Sequence, residues 1–377
     1  VDRLVEYFIS LVEIDSESKD EKRVAEKIAN DLTEMGAEVI FDHAHHATKG
    51  NVGNLIANFK GKIDKPPLLL CAHTDTVKPG IGVKAIIKDG YITTDGSTIL
   101  GSDDKAGIAQ IVEAIKRLHE EGYEYAPIQV LFTISEEIGL LGAKNLDYSL
   151  IDAKVGFALD WHGVCSIVTH APSLNIFEIV VNGKEAHAGG SPEKGINAIQ
   201  VAGEAIGKLK LGRIDFETTA NIGNIKGGLA HNIVPKTCFV SGEVRSHDEE
   251  KLEKLTNNII KTFEKVAAKY KVKFDSNVFK ASSHGHVLKD FVALKISEDE
   301  DIVKIAEQAA RNIGVEPKIE TGGGGSDANV FAEHGLIVPI IGTGMNDVHS
   351  THENIKIDDL EKVTQWVVEI IKEYSKK

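Results

Sequence analysis

Four apolar runs of strand length dominate this chain, and each delivers a histidine or an acid where it stops or in the loop that follows. They are LLLCA (68–72), PIQVLFTIS (127–135), KVGFALD (154–160) and LIVPIIGTG (336–344). Helical patterns lie between them. Positions 2–14 and 20–36 read as helices, the second with Val24, Ile28 and Leu32 at fourfold spacing and Gly36 at its close. Over 105–121, Ile108, Ile111, Val112, Ile115 and Leu118 share one face. With further strands near 38–42 and 53–59, residues 1–170 have the βαβ rhythm of an α/β sheet.

The rhythm changes after residue 171. LNIFEIVVN (174–182) alternates like a half-exposed strand. A helix follows at about 195–210, strands near 219–226 and 236–245, a helix at 248–269 and a strand at 271–277. That β-α-β-β-α-β order suits a small antiparallel, ferredoxin-like α+β sheet with two helices. Helix returns at 300–314, and a final amphipathic helix spans about 358–375. The expectation is one α/β domain built from both chain ends, 1–171 and 284–377. A second domain, 172–283, is inserted into it, with hinges near 171 and 284. A length of 377 residues suits two domains.

The net charge of -14 argues against a nucleic-acid partner, which needs clustered Lys and Arg. No segment approaches the ~18 apolar residues of a membrane span. VDRLVEYFISLVEID at the start reads as an amphipathic helix rather than a signal peptide, and a cytoplasmic location is expected. Cys71, Cys165 and Cys238 form no CxxC and fit a reduced compartment, with Cys71 as a core residue.

His73 and Asp75 stand two apart, so on a strand they share a face, and ligands gather beyond the carboxyl ends of parallel strands. The same rim is supplied again by GSDDKAG (Asp103, Asp104), ISEEIG (Glu136, Glu137), ALDWHG (Asp160) and NDVHSTHEN (His349, His352). Singly, each has an ordinary explanation: an Asp pair caps a helix, and a Glu pair is solvated. Together, imidazoles and carboxylates after separate strands indicate a metal site for Zn²⁺, Co²⁺ or Mn²⁺; imidazole is a poor partner for Ca²⁺. So many acids suit a paired site with metals ~3.5–4 Å apart and one bridging carboxylate. One glutamate of the pair can ligate while its neighbour takes a proton from the attacking water, giving metal-assisted amide hydrolysis. HAHH (43–46) reads as an exposed loop. GGSDA (324–328) falls one glycine short of a GxSxG elbow, and a serine hydrolase would leave the acids unexplained.

HTD at 73–75, GSDDKAG at 101–107, SEE at 135–137, LDW at 159–161 and HSTHEN from 349 resemble the di-zinc exopeptidases, the family of carboxypeptidase G, aminoacylase-1 and peptidase T. The resemblance runs in order along nearly the whole chain and is nearest to the peptidase T-like aminotripeptidases. It implies that His73, Asp103 and Asp160 hold one zinc and that Asp103, Glu137 and His349 hold the other. Glu136 would be the general base, Asp75 would orient His73, and the Asp103–Asp104 peptide would be cis. The inserted domain would serve as lid and dimerisation domain. Within it, His187 would stabilise the oxyanion, in cis or across a homodimer, and Asn232 and Arg245 would bind substrate. The implied activity is release of the N-terminal residue of tripeptides by zinc-activated water. N-acyl amino acid hydrolysis, carboxypeptidase action and non-catalytic metal or ligand binding are the alternatives. Gly323 stands where peptidase T carries an arginine, and the lid is shorter.

Overall fold

The structure, a computed structural model, describes residues 2–274 and 276–376. The chain forms two compact units, one of residues up to Ala171 and from Leu294 onward, the other Pro172–Ala293.

A large mixed sheet forms the first unit. Its order runs Glu38–Phe41, Leu55–Phe59, Ile128–Thr133, Leu68–His73, Val155–His162, Ile340–Asn346. The first two pairings are antiparallel and the next three parallel. Leu68–His73 and Ile128–Thr133 are buried along their whole length, which is why they read as unbroken apolar runs. Because the four parallel strands run the same way, the segments after them all emerge on one rim. That topology places the residues 73–75, 136–137, 160 and 349 together.

The helix Ser102–Glu121 packs on this sheet. Its five apolar positions from Ile108 to Leu118 are buried as expected, each contributing about 1.5–3 kcal/mol of transfer free energy. Asp103 and Asp104 depart from helical geometry, so the regular helix begins at Lys105. The peptide between them is cis.

The second unit is an antiparallel sheet of five strands in the order Gly212–Arg213, Thr218–Gly227, Thr237–Ser246, Ser173–Asn182, Ser282–Phe291. Helices Ala198–Ile206 and Glu249–Ala267 pack on it. Two details differ from expectation. Lys271–Phe274 does not join the sheet but forms a separate hairpin with Asn277–Lys280. The edge place beside Ser173–Asn182 goes to Ser282–Phe291, so the second unit extends past 284 to Ala293. That edge strand, SSHGHVLKDF, is largely solvent-facing and carries little apolar alternation to mark it.

Candidate active site

His73 ends its strand buried, and three contacts fix its ring and backbone. Its N–H donates to Asp104 Oδ2 at 3.0 Å. Nδ1 lies 2.9 Å from the Asp75 carbonyl, with the Asp75 carboxylate farther away at 3.4 Å. A carbonyl only accepts, so Nδ1 carries the ring proton and Nε2 presents its lone pair. Nε2 faces Asp103 Oδ1 at 2.9 Å and Asp160 Oδ1 at 3.8 Å. A lone pair aimed at two carboxylates needs a second proton or a cation between them.

Asp103 is shared. While Oδ1 meets His73, Oδ2 meets His349 Nε2 at 3.2 Å, and His349 Nε2 also lies 2.9 Å from Glu137 Oε1. His349, with a left-handed backbone at φ 60°, lines the cleft although its side chain is 53% exposed; His352, also exposed, is not part of that lining. Ligand atoms converge within 4.8 Å in two groups: His73 with Asp103 and Glu137, and His73 with Asp104 and Asp160. Asp104 is thus nearer the centre than the sequence indicated, and its buried Oδ1 has no hydrogen-bond partner. Among the described residues, these two groups alone meet that spacing. The rings of HAHH lie against one another at tilted or edge-on angles, His45 and His46 at 4.1 Å between centroids, without bringing ligand atoms together in this way.

The electrostatics ask for positive charge. Burial, then Asp160, pushes the Glu136 carboxyl well above the usual carboxylate range. Burial, then the neighbouring acids, does the same to Asp160. Burial also raises Glu137, against a hydrogen bond from His349. Burial alone would raise Asp103, but His349 and a doubly protonated His73 would outweigh it and hold it low. The cleft is lined by these acids with Trp161, His162, Gly324, Gly325, Ser326, Ile340, Met345 and Val348, none of them Lys or Arg. Two imidazoles and several carboxylates with no cationic side chain among them fit a pair of divalent metal ions.

Asp75 has a second role beside His73, Ser326 serves a helix cap, and Glu353 is a supporting acid that the sequence pattern did not single out. The Asp75 carboxylate holds the glutamate turn, accepting the N–H of Glu136 at 2.9 Å and of Glu137 at 3.2 Å. Ser326 caps the helix Asp327–Glu333, accepting from Ala328 N–H at 3.2 Å, which is a structural use for that hydroxyl. Glu353, four residues after His349 in HSTHEN, is buried and takes four donors. These are the N–H groups of Leu100, Gly101 and Asp103 and the Ser102 hydroxyl, at 2.7–2.9 Å. It ties the Asp103 loop to the His349 loop. A lone acid accepting main-chain donors leaves no pattern in sequence beyond the HxxxE spacing.

Comparison with known proteins agrees with this geometry. Residues 173–271 match the family model for the peptidase dimerisation domain, and 94–173 that for M42 glutamyl aminopeptidase. The uncharacterised protein YqjE of Bacillus subtilis is 41% identical over 99% of both chains. The crystal structure of aminopeptidase PepT from Bacillus cereus is 40% identical, with a TM-score of 0.89 over 99% of this chain and 98% of that one. A tripeptidase from Staphylococcus aureus is 37% identical, with a TM-score of 0.93 over 100% and 98%. The chain belongs to the di-metal exopeptidases, among the peptidase T-like members.

In this peptidase T-like chain, the three residues expected to serve the substrate all lie in the second unit. His187 is exposed and bridges in sequence register to Ile233; its Nδ1 accepts the N–H of Gly189 at 3.1 Å and of Gly190 at 2.9 Å. The neutral ring therefore carries its proton on Nε2. Exposed Asn232 accepts Ala188 N–H through its carbonyl at 3.0 Å. Arg245 is gripped by Glu243 on its own strand, Nε to Oε1 at 2.9 Å and Nη2 to Oε2 at 3.2 Å. Arg245 is thus engaged in an ion pair within its own strand. The peptidase has no helix, among the described residues, long and apolar enough to cross a membrane.

Proposed function

We propose that this chain is an aminopeptidase that removes the N-terminal residue of tripeptides. The observation that carries the reading is the Asp103 carboxylate, whose two oxygens face the two imidazoles of His73 and His349. That is the arrangement a bridging ligand requires. In this reading His73, Asp103 and Asp160 hold one divalent ion and Asp103, Glu137 and His349 the other. Zinc suits the donors, with cobalt or manganese as alternatives. When bound, the ions polarise the scissile carbonyl and lower the pKa of the attacking water.

The chain's own residues supply the rest. Glu136, adjacent to a ligand yet not needed as one, accepts the proton of the attacking water and delivers it to the leaving amine. Burial and the neighbouring acids raise its pKa, and bound cations would bring it back toward the neutral range that a base taking up and returning a proton needs. Asp75 holds the main chain of Glu136 and Glu137 and leaves the His73 proton on Nδ1. His187 would donate Nε2–H to the developing oxyanion, a role its Nδ1 contacts leave open to it. Arg245 would receive the substrate carboxylate in competition with Glu243, and Asn232 would contact a substrate carbonyl. The second unit would serve as lid and dimer contact, and the homodimeric peptidase would work in the cytoplasm.

A panel of tripeptides, dipeptides and N-acetyl amino acids, run with metal analysis, tests the reading. The expected result is turnover of free-amine tripeptides with two metal equivalents bound. Turnover confined to blocked substrates would move the assignment to the N-acyl amino acid amidohydrolases or carboxypeptidases. Glu136→Gln is expected to keep its metal and lose at least ~100-fold in kcat. A metal-replete variant with near-normal turnover would remove Glu136 from the mechanism.

A further inference from the structure

The turn that presents Glu136 is gripped from the other end of the sequence. Ser135, just before it, has φ 52°, a left-handed conformation that a non-glycine residue holds only when its surroundings insist. Three successive N–H groups leave this turn toward two buried carboxylates. Glu136 and Glu137 donate to Asp75, and Ser135 donates to Glu21 Oε1 at 3.0 Å. The Ser135 hydroxyl also donates to Glu21 Oε1, at 3.0 Å. Ser18 in turn donates its hydroxyl to Asp75 Oδ2 at 2.6 Å. Residues 16–18 run beside 74–76, with Ser16 Oγ on the Thr74 carbonyl at 2.9 Å and Thr76 N–H on the Ser16 carbonyl at 3.0 Å.

Glu21 has no evident duty to its own helix. It occupies the N-cap position of Lys22–Glu34, yet its side chain makes no capping bond. It is fully buried, and its Oε1 accepts from Lys19 N–H as well as from Ser135. Burying a carboxylate is costly, and an ordinary cap residue would serve the helix without that cost. The side chain instead reaches across to the residue preceding the glutamate pair.

We propose that Glu21, assisted by Ser18, is a positioning residue that sets the orientation of Glu136. Glu21 acts through the Ser135 turn and Ser18 through Asp75, neither touching substrate or metal. The proposal rests on Glu136 being the general base. Small misplacements of a catalytic group cost far more in rate than in binding.

The test uses the full-length, metal-loaded protein and one tripeptide. Glu21→Ala is expected to lower kcat by roughly 10–100-fold with KM little changed and metal content intact. Glu21→Gln keeps an acceptor oxygen for the Ser135 N–H and should restore most of the rate. In a Glu136→Gln background, Glu21→Ala should cost little more, because both act on one proton transfer. Equal damage from the Ala and Gln variants, or a rate that simply follows metal loss, would overturn the proposal. So would additive losses in the double variant. If Glu21→Ala does not fold, Ser18→Ala decides: a several-fold drop in kcat supports the brace, and an unchanged kcat overturns it. Near-normal turnover of Glu136→Gln alone would instead remove the base assignment.

Discussion

At the scale of single residues, the site depends on acids that touch no metal. Glu353 gathers four donors around one buried carboxylate, so its removal strands three N–H groups and a hydroxyl at once. Unmade buried hydrogen bonds cost about 1–3 kcal/mol each. Support of this kind holds ligands in place, and its loss costs ~10–100-fold in metal affinity. Glu353→Ala should show that loss when the metal-free protein is titrated with Co²⁺ or Zn²⁺; unchanged affinity would mean that the Asp103 loop holds its own shape. The residues proposed as ligands stand out in the sequence because His73, Glu137, Asp160 and His349 follow strongly apolar runs and Asp103 opens a helix. Glu353 and Glu21 do not, since what defines them is the convergence of main-chain donors from distant segments. Arg245 shows the opposite limit. Its pairing with Glu243, two positions earlier on the same strand face, competes with the substrate role that the resemblance implied.

At the scale of elements, the helix Ser102–Glu121 must approach the strand Val155–His162 closely enough to deliver Asp103 beside Asp160. Gly107 permits this. A Cβ there would lie 2.6 Å from both the Leu159 carbonyl, which is main chain, and Asp104 Oδ1, whose carboxylate is tethered through Oδ2 to the His73 N–H. Gly107→Ala should therefore destabilise by ~1–3 kcal/mol, the usual cost of overpacking. Metal affinity should fall with it, because the displaced helix carries Asp103. Urea unfolding and metal titration check the two effects, and a fully stable variant would show slack between helix and strand. The helix was easy to read because one apolar face repeats through it. The strand Ser282–Phe291 was not, because an edge strand with one wet face, a glycine and two histidines carries almost no periodicity.

At the scale of the whole molecule, buried carboxyls couple stability to metal. Burial, then Asp75, raises Glu21 from 4.5 to about 7, and burial raises Asp327 from 3.8 to about 6. With folded values above unfolded ones, the folded chain retains protons that the unfolded chain has released. Their stabilising contribution is complete below the unfolded values and fades as pH climbs through about 6 to 7. Asp103 has the opposite sign but is one group against several. Metal-free protein should thus weaken as pH rises, while metal binding, which requires deprotonated ligands, strengthens. The gain in Tm on adding Zn²⁺ should grow between about pH 5.5 and about pH 8. A gain that shrinks over that range would contradict the linkage.

Ala171 and Leu294, where the chain departs from the first unit and where it rejoins it, are register partners on adjacent antiparallel strands. To the large sheet, the whole excursion between them is therefore equivalent to a tight hairpin connection. Its ends are pinned together whatever its contour length, and adding residues to it raises the closure entropy only logarithmically. The second unit could lengthen, shorten or be exchanged over evolutionary time without shifting the strand register that brings His73, Asp103 and His349 together.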